Sequence, residues 1–379
     1  MSPSVSHGPG GMRFSEIWQV ADARVQAGRM PGYVGAVRVR GQVEVRAAGR
    51  VAVEPGSPAM RADTLFRLAS VSKPLGGALV LSLVEDGLIG LDDEVARWAP
   101  ELASPRVLRD PAGPLEDTVP AVREVTVRHL LTMTAGWGVV LEPTPVQAAM
   151  RERSVFPSVL GHAMGADEFM AGVGSLPLQF QPGEGWRYET SMNLLGIVLE
   201  RATGRSLSAL FAERMFEPLG MRDTGFVAAD AGRLAAAYQP TGDGLTLIDP
   251  PDGRFARPPA FEHLSGGLVS SVGDVLRFCC AVADGDLPVA SALTADALTP
   301  QQRAAAPRPF LGPGWSWGLG TGVVPATGAW GWTGGTGTVV HVDPSRDTVA
   351  VLLTQRALAG PGDSFEPFLE AVASAAALV

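Results

Sequence analysis

The stretch VVHVDPSRDTVAVLL, residues 339–353, determines the fold class of this chain. Two runs of branched apolar residues stand on either side of the turn-forming sequence DPSRD, which predicts two antiparallel strands joined by a tight connection. The same pattern occurs near the other end, where VRVR at 37–40 and VEVR at 43–46 flank Gly41. Apolar residues at helical spacing precede the first strand pair and follow the second. We therefore expect an α/β fold with an antiparallel sheet built from both chain ends and flanked by helices.

The middle of the chain has a different period. Apolar residues recur mostly at helical spacing in segments at 75–85, 127–133, 192–202 and 207–215. Helices separated by loops rich in Pro and Gly predict a second, mainly helical lobe. The predicted organisation is a flexible tail at 1–12, an α/β lobe formed by 13–69 and 262–379, and a mainly helical lobe at 70–261.

Composition limits the function classes. The chain has 379 residues, 46% of them hydrophobic and 18% charged, which is typical of a well-buried globular enzyme. A net charge of -9 without a basic cluster argues against a nucleic-acid partner. Since no apolar run has the length of a membrane span or the form of a leader, we expect no membrane partner and a cytoplasmic location. The histidines lack metal-ligand spacing, so neither a metal nor a cofactor is expected, and the oligomeric state is left open.

The most informative single residue is a lysine. Lys73 is the one lysine among 30 basic residues, and it follows Ser70 by three positions. At the start of a helix this spacing places both side chains on one face, so the amine can reach the hydroxyl. Arginine keeps its proton at any accessible pH, whereas a buried lysine can lose it from an ordinary pKa of about 10.4. The spacing favours a nucleophile and its base over the alternative, a lysine on a solvated helix face.

Two further segments carry candidate chemistry. Tyr188 stands between a loop rich in Pro and Gly and a helix, and a phenol near a cationic lysine ionises more readily and can act as base or proton shuttle. The segment WTGGTGT, residues 332–338, leads into a strand, and its glycines leave backbone N–H groups open to a ligand. Taken singly, each segment also fits a structural role, as a packed tyrosine or a plain turn.

In combination these motifs make the chain resemble a known superfamily. Ser70-Val71-Ser72-Lys73, Tyr188 before Asn193-Leu194-Leu195-Gly196, and Trp332-Thr333-Gly334-Gly335 are similar to the motifs of serine β-lactamases and penicillin-binding proteins. Within that superfamily the chain resembles the class C-like branch and the family VIII carboxylesterases. The resemblance implies a β-lactamase-like fold and an acyl-enzyme on Ser70, with Lys73 as partner base and Tyr188 as second proton carrier. It also implies an oxyanion hole formed by the N–H groups of Ser70 and Gly335.

Two positions depart from the β-lactamase pattern. Trp332 stands where β-lactamases place lysine and many relatives histidine, whereas the family's carboxylesterases also have tryptophan there. Thr190 stands where β-lactamases carry an asparagine that contacts an acylamide side chain. With Thr333 and Gly334, these two are the predicted substrate-binding residues. The loss of the cation and the apolar wall offered by the indole favour neutral substrates.

The sequence thus predicts a serine hydrolase that cleaves carboxylic esters, with a small-molecule ester or amide as its substrate. Three alternatives stay open at this point. They are a β-lactamase or D-alanyl peptidase, an acyltransferase or cyclase of secondary metabolism, and a non-catalytic sensor that is acylated and stalls.

Overall fold

The computed structural model describes residues 14–242, 244–308, 310–360 and 363–377. Its strands are β1 Gly32–Val39, β2 Gln42–Gly49, β3 Leu65–Arg67, β4 Arg106–Leu108, β5 Thr118–Pro120, β6 Ala237–Thr241, β7 Gly244–Asp249, β8 Val269–Ser271, β9 Ser316–Trp317, β10 Gly322–Val324, β11 Ala329–Gly334, β12 Thr338–Asp343 and β13 Thr348–Thr354. Its α-helices are α1 Phe14–Gln26, α2 Ser72–Glu85, α3 Val127–Leu131, α4 Pro145–Glu152, α5 Ala166–Gly174, α6 Thr190–Thr203, α7 Leu207–Phe211, α8 Glu217–Leu219, α9 Val272–Ala283, α10 Ala290–Leu293, α11 Pro300–Ala305 and α12 Glu366–Ala377. The predicted tail at 1–12 lies outside the described residues.

A seven-stranded antiparallel sheet combines the two ends of the chain, as the sequence predicts. Its order is β2-β1-β13-β12-β11-β10-β9, so β1 from the amino-terminal end pairs directly with β13 from the carboxyl-terminal end. Arg40 and Gly41, both with positive φ, form the turn between β1 and β2. The expected connection at 343–347 contains a short 3-10 helix, Pro344–Arg346. These bounds confirm the fold class.

Strand β1, next to the edge strand β2, is more deeply buried than its alternating sequence indicates. β1 is buried on both faces, whereas its neighbour β2 is largely exposed. Trp18 of α1 and Phe368 of α12 pack on one face, with ring centroids 5.8 Å apart, and α9 covers the other. A Cβ atom on Gly35 would lie 2.4 Å from the Trp18 ring, so this position needs a glycine. The sequence pattern alone did not show that helices cover both faces.

The central region contains the predicted helices and some elements that the periodicity missed. Helices α2, α3, α6 and α7 overlap the four predicted segments, and α7 continues into a π-helical turn, Ala212–Phe216. Two small hairpins, β4–β5 and β6–β7, also lie in this region. They are short and partly exposed, so they lack a strong apolar alternation. The proposed lobe boundaries at 69/70 and 261/262 stay a prediction.

The chain just before Ser70 is held from two directions. Strands β3 and β8 pair, and the Leu68 N–H donates to the Leu268 carbonyl at 2.8 Å. From the main sheet, the Thr338 hydroxyl donates to the Leu68 carbonyl at 2.7 Å. This double attachment fixes the start of the helix that carries the sequence motif. None of the helices in the described ranges is long and apolar enough to cross a bilayer.

Candidate active site

Ser70 and Lys73 lie in contact at the start of α2. Ser70 belongs to a short 3-10 helix, Ala69–Val71, which runs directly into the α-helix. Lys73 Nζ is 2.8 Å from Ser70 Oγ and donates a second hydrogen bond to the Ser265 carbonyl, also at 2.8 Å. The contact expected from the three-residue spacing is therefore present. Ala69 has φ +44°, a rare conformation for a residue with a side chain, which marks this turn as one held by its surroundings.

The Lys73 amine is fully buried. Burial lowers the pKa of Lys73 to about 7, because the low-dielectric interior disfavours the charged form, and the nearby Glu189 carboxylate partly opposes this change. The apolar side chains around the motif are also buried: Leu68, Val71, Leu75, Leu79 and Val80. A large fraction of the amine is therefore neutral near pH 7, the form that can accept a proton.

Tyr188 lies beside Ser70 and Lys73. Its hydroxyl accepts a hydrogen bond from Trp332 Nε1 at 2.5 Å and also interacts with the Ser70 hydroxyl. Lys73 Nζ lies 4.6 Å from the centroid of the Tyr188 ring, and Phe310 stacks on that ring with centroids 4.5 Å apart. The structure thus brings together residues that stand far apart in the sequence.

One expectation for Tyr188 is wrong. The sequence led us to expect that a cationic Lys73 would make the phenol ionise more readily. The structure instead raises the pKa of Tyr188, because burial disfavours the phenolate more than the hydrogen bonds from Ser70 and Trp332 favour it. With a pKa of about 7, Lys73 is only partly charged near neutral pH and so stabilises a phenolate less than a fully charged lysine would. Tyr188 is therefore a neutral phenol near pH 7, able to donate its proton.

The glycine-rich segment packs against the nucleophile turn. A Cβ atom on Gly334 would lie 2.3 Å from the Leu68 carbonyl oxygen and 2.2 Å from Thr338 Oγ1. Only a glycine at this position lets the end of β11 approach the chain before Ser70 so closely. The next residue, Gly335, lines the same cavity as Ser70. The predicted role of their N–H groups as an oxyanion hole stays a prediction.

A cavity of about 830 Å³ opens at Ser70. It runs from the catalytic candidates past Val159, Phe310 and Trp315 to the carboxyl-terminal helix α12. Most of its lining is apolar. Of the predicted substrate-binding residues, Trp332 and Thr333 line it. Gly334 and the fully buried Thr190 are not among the lining residues, and the Thr190 hydroxyl has no hydrogen-bond partner among the described residues. Direct substrate contact by Thr190 and Gly334 stays a prediction.

The sequence reasoning missed a polar network behind Lys73. Ser265 Oγ donates to Glu189 Oε1 at 2.7 Å, and Asn193 Nδ2 donates to the same oxygen at 3.0 Å. Asn193 Oδ1 in turn accepts from the Ser265 N–H at 3.1 Å. The four-residue spacing of Glu189 and Asn193 is a signal for one helix face that could have been used. Ser265 is 192 residues from Lys73 in the sequence, and no local pattern reveals such a contact.

The chain is similar to known proteins along nearly its whole length. A model of the Beta-lactamase family matches residues 17–375. An uncharacterized protein of Mycobacterium tuberculosis is 35% identical over 373 residues, which cover 90% of this chain and 88% of that protein. Esterase EstB of Burkholderia gladioli is 34% identical over 371 residues, covering 90% of each.

Solved structures agree with this similarity. EstCE1, described as a hydrolase with promiscuous acyltransferase activity, superimposes with a TM-score of 0.78 at 25% sequence identity, over 96% of this chain and 97% of that one. Its fold is that of the sheet and helices described above. The resemblance drawn from the three motifs is thereby confirmed, and the chain belongs to the β-lactamase family.

Proposed function

We propose that this protein is a serine carboxylesterase that hydrolyses neutral esters through an acyl-enzyme on Ser70. The observation that carries the proposal is the fully buried Lys73 Nζ, 2.8 Å from Ser70 Oγ, beside an apolar cavity. A neutral amine next to a hydroxyl is the arrangement that activates a serine without a histidine. The similarity to esterase EstB supports an ester as the substrate.

The first step forms the acyl-enzyme. Ser70 Oγ attacks the carbonyl carbon of the ester while the neutral Lys73 amine accepts the hydroxyl proton. The electron pair of the carbonyl bond moves onto its oxygen, and the N–H groups of Ser70 and Gly335 are proposed to stabilise the resulting oxyanion. A Lys73 pKa of about 7 suits a general base that works near neutral pH.

The tetrahedral intermediate then collapses and the leaving alkoxide needs a proton. Tyr188, a neutral phenol beside Ser70, donates this proton as the bond between carbon and the alcohol oxygen breaks. The phenol recovers its proton from the Lys73 ammonium, while the Trp332 N–H holds the phenol oxygen in place. Water then attacks the acyl-enzyme, Lys73 accepts a proton from it, and the acid leaves as Ser70 is reprotonated.

The electrostatics of the cavity favour uncharged substrates. Trp332 supplies a hydrogen-bond donor to Tyr188 without the positive charge that a lysine would bring. The carboxylate of Glu189 also lines the cavity and repels a substrate carboxylate. Trp332 and Thr333 are proposed to contact the acyl or alkyl group. We therefore expect short and medium neutral esters to react much faster than β-lactams or D-alanyl peptides, which carry a carboxylate.

Acyl transfer is a second candidate activity. The cavity of about 830 Å³ exceeds the volume of a short acyl group and can hold an acceptor alcohol beside it. EstCE1, a structural relative, is a hydrolase with promiscuous acyltransferase activity. Transfer would use the same acyl-enzyme, with the alcohol in place of water.

The test compares Ser70→Ala with the wild type on p-nitrophenyl acetate, p-nitrophenyl butyrate and nitrocefin, with and without an added alcohol. We expect the substitution to lower ester hydrolysis by at least ~10³-fold, because no other group replaces the nucleophile. Ser82→Ala is a matched control on the same helix, where the hydroxyl only donates to the Leu79 carbonyl.

Mass spectrometry after brief exposure to ester identifies the acylated residue. Ester hydrolysis retained by the Ser70 variant contradicts the proposal, and so does nitrocefin turnover at the rate of the esters. Stable acylation of wild type without turnover indicates the sensor alternative. Diversion of most acyl groups to the alcohol favours the transferase.

A further inference from the structure

Glu189 is a buried carboxylate in an unusual backbone conformation, and the mechanism above gives it no step. Its side chain is 9% exposed and lines the catalytic cavity. It directly follows Tyr188 and precedes α6, with φ +83°, which a residue with a side chain adopts only when its surroundings impose it. One carboxylate oxygen, Oε2, is buried without a hydrogen-bond partner among the described residues. Such an arrangement needs an explanation beyond packing.

The other carboxylate oxygen of Glu189, Oε1, binds Ser265, and the Ser265 carbonyl binds Lys73. Glu189 Oε1 accepts the Ser265 hydroxyl, and Asn193 connects the carboxylate to the Ser265 N–H. Ser265 is therefore fixed through its hydroxyl and its N–H by the start of α6. Its remaining polar group, the carbonyl, accepts the hydrogen bond from Lys73 Nζ. The direction of the amine toward Ser70 thus depends on a chain of hydrogen bonds that ends at Glu189.

Glu189 also supplies charge where the amine has few other charged neighbours. Three elements that pack against α2 carry no ionisable side chain: the 3-10 helix before it, β11 and α10. The π-helical turn contributes Arg214, which contacts Ser82 and Asp86 at the far end of α2. The Tyr188 ring also faces the amine, and burial lowers the pKa of His263, two residues before Ser265, to about 3, so neither group carries a charge near pH 7. Glu189 opposes the effect of burial and keeps the pKa of Lys73 from falling further.

We propose that Glu189 is a positioning residue that holds the Ser265 carbonyl in place for Lys73 and places a negative charge beside the amine. This inference rests on the proposed function, in which Lys73 is the base. It assigns Glu189 no contact with the reacting atoms. Its effect is to set the direction of the amine and the pH at which the amine becomes neutral.

The single lysine makes a direct test possible. Because the chain contains one lysine, lysine labelled with ¹³C at Cε gives one NMR signal, and its titration reports the pKa of Lys73 alone. Glu189→Gln keeps the acceptor oxygen and the shape of the side chain but removes the charge. We expect this substitution to lower the pKa of Lys73 by about 0.5–1 unit. Glu200→Gln is the matched control on the same helix, where the carboxylate accepts the Leu207 N–H.

Kinetics provide the second readout. The acid limb of kcat/KM for p-nitrophenyl butyrate follows the loss of the Lys73 proton, so Glu189→Gln moves this limb to lower pH by the same amount. Its plateau above pH 8 stays within about threefold of wild type, since the hydrogen bond to Ser265 remains. Glu189→Ala also loses that bond, and its plateau kcat falls about tenfold with little change in KM.

A Lys73 titration that is the same in wild type, Glu189→Gln and Glu200→Gln overturns the inference. It is also overturned if Glu189→Gln lowers activity equally at every pH, because only the fold would then be affected. Failure of the proposed function is a separate result. If Ser70→Ala keeps its activity, the esterase mechanism is wrong, while the NMR titration still measures what Glu189 does to the amine.

Discussion

At the Lys73 amine, the proposed chemistry and the stability of the fold have opposite requirements. The base must be neutral near pH 7, and burial achieves this by lowering its pKa to about 7. In the unfolded chain the pKa returns to about 10.4, so between these values the unfolded state binds more protons than the folded state. The contribution of Lys73 to the free energy of unfolding therefore rises with pH between these two values. Burial of the amine destabilises the protein most at and below pH 7.

Lys73→Met tests this conflict. We expect the variant to lose esterase activity and to gain stability at pH 7, by on the order of 1–4 kcal/mol, because methionine has no proton to lose on burial. The lost hydrogen bond to the Ser265 carbonyl offsets part of the gain. Urea unfolding at pH 7.0 and pH 8.5 measures the effect. The difference between variant and wild type should shrink at the higher pH, and equal differences at both would show that the amine is charged in the fold.

Among single residues, the sequence predicted the contact of Ser70 with Lys73 because three positions on a helix fix it. It did not predict the direction of the Tyr188 pKa, which depends on how deeply the fold buries the phenol. Nor did it predict Ser265, since a contact across 192 residues follows from tertiary packing and not from spacing. The sequence thus predicted local geometry along a helix, but it did not predict how deeply the fold buries each ionisable group.

At the scale of elements, the close approach of β11 to the turn before α2 positions the nucleophile. Gly334 makes this approach possible because a Cβ atom there would overlap backbone and hydroxyl oxygens. The sequence showed that a glycine-rich segment leads into a strand. It did not show which turn the segment packs against, since β11 and α2 are far apart in the chain.

Gly334→Ala should therefore disturb the site as well as the fold. We expect a loss of stability of about 2–4 kcal/mol and a larger loss of kcat than of substrate affinity, since neither contacting oxygen can easily move. Gly273→Ala, in α9, is the matched control. A Cβ atom there meets nothing closer than 3.8 Å, and alanine in a helix should stabilise by about 0.5 kcal/mol. Equal stability of the two variants would show that β11 and the turn can separate at little cost.

At the scale of the whole molecule, the two chain ends meet on one face of the main sheet. Trp18 of α1 and Phe368 of α12 belong to one apolar cluster with residues of β1 and β13. This architecture was predictable from strand patterns at both ends with helices outside them. The small central hairpins were not, because short strands carry too few residues for a clear alternation.

Trp18→Ala tests how far the cluster holds the ends together. We expect a loss of about 3–5 kcal/mol in the free energy of unfolding, since the indole is fully buried, packs on Gly35 and donates to Glu44 at 2.8 Å. The protein that stays folded should keep the kcat and KM of wild type, because α1 does not line the catalytic cavity. Urea unfolding and ester kinetics on the same sample measure both. A fall in kcat with unchanged stability would contradict this prediction and would show that α1 contributes to catalysis.

The seclusion of Lys73 has a practical outcome for handling this protein. Lys73 is the one lysine of the chain and is fully buried, so the folded protein offers bulky lysine-directed dyes and cross-linkers no exposed ε-amine. Coupling of such reagents to the Lys73 amine needs the chain to open. The rate at which such a dye labels Lys73 would therefore report the rate of unfolding, and peptide mapping would measure it at this one position.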